Sequence, residues 1–230
     1  MRSEFTMINT IKTALLTGAN KGIGLHLTQK LLKEGITVIA TTRSGKIDDL
    51  SHPNLTVIKA DISDEQSIAA VAEEITRLGH KIDCLINNAG VGVDFDTEVP
   101  SANLLNASFA TNTTGTVLFT EALLNSVADG GQIIFLSTIM SVLRYAAPDA
   151  PAYRMSKAAL NMYAVMLSQR LKARNIRVTP LHPGWVQTSM GGDSAPTTPE
   201  KSADGIFKAI LENTETGKFW NVDTGGLINY

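Results

Sequence analysis

With 230 residues, 43% of them hydrophobic and 18% charged, and a net charge of −2, the chain can fill one α/β core and carries no charge excess that would favour nucleic acid or an acidic membrane surface. Its one cysteine, Cys84, rules out an intrachain disulfide and fits a reducing cytoplasm. No apolar run approaches the roughly 18 residues that cross a bilayer, so no membrane association is expected. The opening MRSEFTM lacks the apolar centre of a signal peptide. Residues 1–6 are expected to be a cloning remnant or disordered lead, before one domain at 7–230.

Short β-rich runs alternate with longer helical patterns. TALLT (13–17), TVIAT (37–41), LTVIKA (55–60), IDCLIN (82–87), QIIFLS (132–137) and IRVTPL (176–181) read as strands. They are mostly apolar rather than alternating, as strands buried on both faces are. Helical patterns lie near 22–34, 64–78, 101–127, 151–174 and 199–213, and GKFWNV near the end reads as a last edge strand. The alternation predicts a doubly wound parallel sheet with helices on both faces.

TGANKGIG (17–24) follows the first strand and opens the first helix. Gly18 permits a tight turn, Gly22 lets backbone approach a pyrophosphate, and Gly24 allows close packing. The helix N-terminus then offers free N–H groups to an anion. In AYRMSK (152–157), Tyr153 and Lys157 stand four apart, on one face of a helix. A free phenol has a pKa near 10, and an adjacent ammonium lowers it towards the range of a useful acid–base group.

TGANKGIG, NNAG (87–90), YRMSK (153–157) and PGWVQT (183–188) occur in the order and at the intervals of the short-chain dehydrogenase/reductases. The resemblance covers essentially the whole chain. It implies a single Rossmann domain of about seven parallel strands in the order 3-2-1-4-5-6-7. STIMSV (137–142) and the ending GKFWNVDTGGLINY look most like carbonyl reductases and C-factor-like members. The implied activity is reduction of a ketone or aldehyde to an alcohol, with Tyr153 as proton donor and Lys157 as the tuning cation. Asn112 in TNTTG matches the asparagine that holds a helix distortion. The family usually has Ser-Ser where this chain has Ser137-Thr138; position points to Thr138 as the hydroxyl that polarises the carbonyl, with Ser137 as the fallback.

The cofactor contacts implied are Gly18, Asn20, Lys21, Gly22, Ile23 and Gly24 of the loop, Asp61 and Ile62 at adenine, and Asn88, Ala89 and Gly90 along the ribose. Pro183, Gly184, Val186 and Thr188 should reach the nicotinamide side, with Tyr153 and Lys157 on its ribose. At the end of the second strand an acidic residue would take a ribose 2′-hydroxyl. Here Thr42 stands in that place, followed by Arg43, and Lys21 lies in the glycine loop. Two cations without a carboxylate favour the 2′-phosphate of NADP(H) over NAD(H).

The substrate pocket should form from Val91–Asp94, Met140–Tyr145 and Trp185–Ser194, mostly apolar with Arg144 as the one candidate anion clamp, so a hydrophobic small-molecule carbonyl is expected. The loop SVLRYAAPDAP is expected to bend outward and shape the entrance. Family members pair through the helices near 101–127 and 151–174, which implies a homodimer or homotetramer, although some carbonyl reductases are monomers. Three rivals stand beside this reading: an enzyme for another carbonyl class such as a 3-oxoacyl group, a non-catalytic NADP-binding regulator, and a sugar-nucleotide epimerase or dehydratase. The last generally needs more than the roughly forty residues that follow PGWVQT.

Overall fold

Runs of apolar residues without a polar alternate form strands that are covered on both faces. The computed structural model describes residues 11–230; the expected remnant at 1–6 lies outside the described residues. Eight strands form one sheet in the order β3-β2-β1-β4-β5-β6-β7-β8. They are β1 (Thr13–Thr17), β2 (Thr37–Thr42), β3 (Leu55–Lys59), β4 (Ile82–Asn87), β5 (Val127–Leu136), β6 (Arg177–His182), β7 (Phe219–Asn221) and β8 (Gly226–Ile228). All neighbours are parallel except β7 and β8. The expected order holds, with an added antiparallel edge strand.

The helices are α1 (Gly22–Lys33), α2 (Glu65–Leu78), α3 (Ala102–Phe109), α4 (Thr116–Leu123), α5 (Pro151–Arg170) and α6 (Pro199–Glu212). Successive strand residues point to opposite faces, and the core divides accordingly. Ala14 and Leu16 pack with Leu27 and Leu31 of α1 and with Ile206 and Ile210 of α6. Leu15 packs on the other face with Val71 and Ile75 of α2, Phe119 of α4 and Leu160 and Leu167 of α5. The result is a single α/β Rossmann-like domain.

Two expectations are corrected here. The helix read over 101–127 is interrupted: residues 110–115 form a π-turn between α3 and α4. Gly115 is required at that break, because a Cβ there would collide with the carbonyl oxygen of Ile62. The strand read over 132–137 begins earlier, at Val127, which pairs with Ile82 across a register shift. β1 lies between β2 and β4, so the connections run outward in both directions from β1 and β4. That reversal opens a crevice at the carboxyl ends of the strands.

Candidate active site

The crevice is a cleft of about 590 Å³. Its floor is the glycine loop. Gly18 and Gly22 have φ of +70° and +52°, conformations that side chains disfavour. A Cβ at Gly24 would collide with the Gly18 carbonyl oxygen, so the third glycine lets helix α1 close onto its own loop. Asn88 holds the loop in place: its Nδ2 donates to the carbonyls of Thr17 (2.8 Å) and Gly18 (3.0 Å). Thr17 Oγ1 in turn accepts from the backbone amides of Asn88 (3.1 Å) and Ala89 (3.0 Å).

The N-terminus of α1 has no side-chain cap and no acidic residue in its first turn. By contrast α2, α3 and α6 are capped by Asp64, Ser101 and Thr198. Free N–H groups at the mouth of a cleft, next to backbone without side chains, fit the pyrophosphate of a dinucleotide. Gly18, Asn20, Lys21, Gly22, Ile23, Gly24, Thr42, Arg43, Asp61, Ile62, Asn88, Ala89, Gly90, Tyr153, Lys157, Pro183 and Thr188 all line the cleft. Gln187 and Met190, from the segment expected to form the substrate pocket, line it too, as do His26, Ala60 and Ser63, which carry no motif signal.

Three cofactor expectations differ in detail. Thr42 lines the cleft, but its hydroxyl is used in a local turn, donating to the Lys46 carbonyl and accepting from the Lys46 amide, both at 3.1 Å. Gly184 and Val186 are absent from the lining of the cleft. Gly184 instead turns at φ +90° beside the Asp223 carboxylate, and Val186 is buried, bridged to Thr197. Lys21 reaches across the cleft, with Nζ 3.3 Å from Ser189 Oγ. Arg43 is exposed at the rim and close enough to Asp61 to help lower that carboxyl's pKa, after the larger effect of hydrogen bonds from Ser63.

At the inner end the catalytic candidates converge. Tyr153 and Lys157 are buried. Burial pushes the Tyr153 phenol up to about 12, and a hydrogen bond with the Thr138 hydroxyl pulls the other way. Burial brings the Lys157 ammonium down to about 8. Its Nζ donates to the Leu136 carbonyl at 2.8 Å. The larger effect on the phenol is burial, and the Thr138 hydroxyl opposes it. Asn112 sits in the π-turn. Its amide clamps Val91 from both sides, accepting from Val91 N and donating to Val91 O, each at 2.8 Å, and donates to Ser156 Oγ at 3.0 Å. A Cβ at Gly90 would stand 3.2 Å from both Asn112 Oδ1 and Lys157 Nζ.

Ser137 and Thr138 are separated by direction. Ser137 borders the cleft, but its hydroxyl donates to Asn161 Oδ1 at 2.7 Å in a buried network with Ser141. Thr138 Oγ1 accepts from Met140 N at 3.2 Å and meets the phenol of Tyr153. The loop after Thr138 is pinned at its base by Arg154, which donates to the carbonyls of Met140, Tyr145 and Asp149 and pairs with the Asp149 carboxylate. Its tip stands out, with Leu143 85% exposed. Arg144 is no free clamp: its guanidinium donates to Tyr145 Oη at 2.8 Å. Asp94 was expected to line the substrate pocket. It is buried instead, against the first turn of α5.

The family model described as short chain dehydrogenase matches residues 12–199. An uncharacterized oxidoreductase of Schizosaccharomyces pombe is 31% identical over 248 residues, covering 94% of this chain and 98% of its own. The NADPH-bound carbonyl reductase from chicken fatty liver superposes with a TM-score of 0.87 at 29% identity, over 96% of this chain and 94% of that one. The carbonyl reductase Sniffer of Drosophila melanogaster gives 0.87 at 28% identity, over 96% and 100%. Motif order, cleft and overall likeness agree, and the chain belongs to the short chain dehydrogenases, a family of oxidoreductases.

Proposed function

We propose that this chain reduces a ketone or aldehyde to the alcohol, reversibly, with NADPH as the reductant and Tyr153 as the proton donor. The observation that carries the reading is that Tyr153 and Lys157 line the inner end of the dinucleotide cleft, with the Thr138 hydroxyl beside the phenol and the Ser137 hydroxyl already engaged by Asn161 Oδ1. The likeness to carbonyl reductases, one of them bound to NADPH, supports it.

When bound, NADPH would supply the hydride. Lys21 and Arg43 would face its 2′-phosphate, and the uncapped start of α1 its pyrophosphate. A carbonyl oxygen set between Thr138 and Tyr153 would accept two hydrogen bonds, which strengthen as negative charge develops on it. With burial raising its pKa to about 12, the phenol stays protonated at neutral pH and can hand its proton to that oxygen. Lys157, at about 8, remains mostly an ammonium at neutral pH and has donors to spare for ribose hydroxyls. Phe95 packs its ring 5.0 Å from that of Tyr153, and Met190 lines the cleft, so the substrate is an apolar small molecule. Exposed Met162 and Met166 on α5 and Leu118 on α4 support pairing of copies along these helices, which sedimentation velocity would test. The chain would act in the cytoplasm.

The test is NADPH consumption over a panel of aldehydes and ketones beginning with para-nitrobenzaldehyde, for the wild type and Tyr153→Phe. The Phe variant should lose at least about a hundredfold in kcat, the contribution of one acid–base group, with NADPH affinity little changed. Near-normal turnover by Tyr153→Phe would defeat the proposal. Cofactor binding without turnover across the panel would favour a regulator.

A further inference from the structure

We propose that Asp94 is a positioning residue for Tyr153: it supplies, from the loop after β4, the N-terminal cap that helix α5 lacks in its own sequence. The proposal rests on the reading of Tyr153 as proton donor.

A helix that starts without a side-chain acceptor leaves its first N–H groups without partners. α5 starts that way. Ala150, just before it, has no side-chain acceptor and sits at φ +51° and ψ +47°, whereas a residue that caps its own helix is extended. Pro151 follows and has no N–H. The next two donors are the backbone amides of Ala152 and Tyr153, the pair that a capping side chain normally takes. Both go to Asp94, at 2.6 Å to Oδ2 and 3.2 Å to Oδ1, across 58 and 59 residues of sequence. Asp94 is only 2% exposed, and a carboxylate at a helix N-terminus is favoured by the aligned peptide dipoles.

The same loop holds Tyr153 in a second way and is itself held at its other end. Phe95 lies against the Tyr153 ring. The carbonyl of Thr97 accepts from Ala150 N at 3.0 Å. Val91, at the start of the loop, is clamped by Asn112, whose amide also reaches Ser156 Oγ, which donates to the Tyr153 carbonyl at 2.8 Å. Tyr153 is therefore gripped at its amide, carbonyl and ring by groups that trace back to residues 91–97 and Asn112. Lys157, one turn on, is anchored separately to Leu136 O, and the glycine loop is anchored by Asn88. Loss of Asp94 should displace the phenol while leaving the ammonium and the cofactor cradle in place.

The experiment compares Asp94→Ala, Asp94→Asn and Tyr153→Phe with the wild type. kcat is measured on the best substrate of the carbonyl panel, and the NADPH dissociation constant by quenching of tryptophan fluorescence. Asp94→Ala should bind NADPH within about threefold of wild type and lose roughly ten- to a hundredfold in kcat, the scale of an ångström-sized misplacement. Asp94→Asn, which keeps one acceptor oxygen, should recover part of that loss. A wild-type kcat for Asp94→Ala, or a parallel loss of NADPH affinity, overturns the proposal. If Asp94→Ala does not fold, Asp94→Asn decides: reduced kcat with unchanged NADPH affinity supports it, and unchanged kcat or lost affinity overturns it. An inactive Tyr153→Phe beside a fully active Asp94→Ala sinks the positioning role alone. A fully active Tyr153→Phe, or no turnover on any panel member, sinks both readings.

Discussion

Replacing Thr138 by Val keeps the branched shape and deletes the hydroxyl. In the structure that hydroxyl has two contacts, the Tyr153 phenol and the amide of Met140 at 3.2 Å. Loss of a donor aimed at charge developing on a carbonyl oxygen costs about 2.7–4 kcal/mol, roughly a hundred- to a thousandfold in kcat. Loss of the Met140 contact costs about 1 kcal/mol of stability, or about 2–4 °C in a chain of this length. Thr138→Ser keeps the donor, so its kcat should stay near wild type and rise for bulky ketones. Ser137→Ala should behave in the opposite sense. It strips the donor from buried Asn161 Oδ1, which costs about 1–3 kcal/mol of stability but touches no reacting atom, so Tm falls by several degrees and kcat changes little. Steady-state NADPH oxidation and thermal melts on the three variants separate the two effects. A fully active Thr138→Val beside a dead Ser137→Ala would refute the assignment and give the role to Ser137.

Arg43→Asp replaces an attraction for the 2′-phosphate with a repulsion; a charged hydrogen bond contributes roughly 1.5–3 kcal/mol, so KM for NADPH should rise about tenfold or more, and an unmoved KM would place the phosphate elsewhere. Gly24→Ala puts a Cβ into the Gly18 carbonyl and should abolish NADPH binding in a calorimetric titration. Lys157→Met tests the buried ammonium through pH. Folding lowers the Lys157 pKa from 10.5 to about 8, so between those values the unfolded chain holds more proton than the folded one. Wild-type stability should therefore rise relative to Lys157→Met as pH increases from about 8 to 10.5. Urea melts that run parallel across this range would contradict the burial.

The strands were the most legible part of the chain. β1 and β4 begin and end where the apolar runs TALLT and IDCLIN do, because a strand covered on both faces leaves no polar alternate to blur its ends. The 101–127 segment was less so. Periodicity ran through TNTTG unbroken, and only the resemblance carried by Asn112 pointed to a distortion there; the π-turn is set by Gly115 against Ile62 and by the Asn112 bonds to Val91 and Ser156. β8 spans three residues and exists through its pairing with β7, which no periodicity could signal. At the site, the motifs gave Tyr153, Lys157 and the glycine loop. Position in the sequence favoured Thr138 over Ser137 but could not show that the Ser137 hydroxyl is occupied, because its partner Asn161 lies 24 residues away. Asp94 was misread as pocket lining for the same reason: its partners are 58 and 59 residues on.

Hydride transfer to a carbonyl carbon is tested most directly by isotope. NADPH carrying deuterium at the transferred position is incubated with a ketone that the wild type turns over, and the alcohol is analysed by mass spectrometry. The expected result is one deuterium on the carbinol carbon with the wild type, and little alcohol of any kind with Tyr153→Phe. Alcohol without deuterium, or equal yields from the two proteins, would contradict the mechanism.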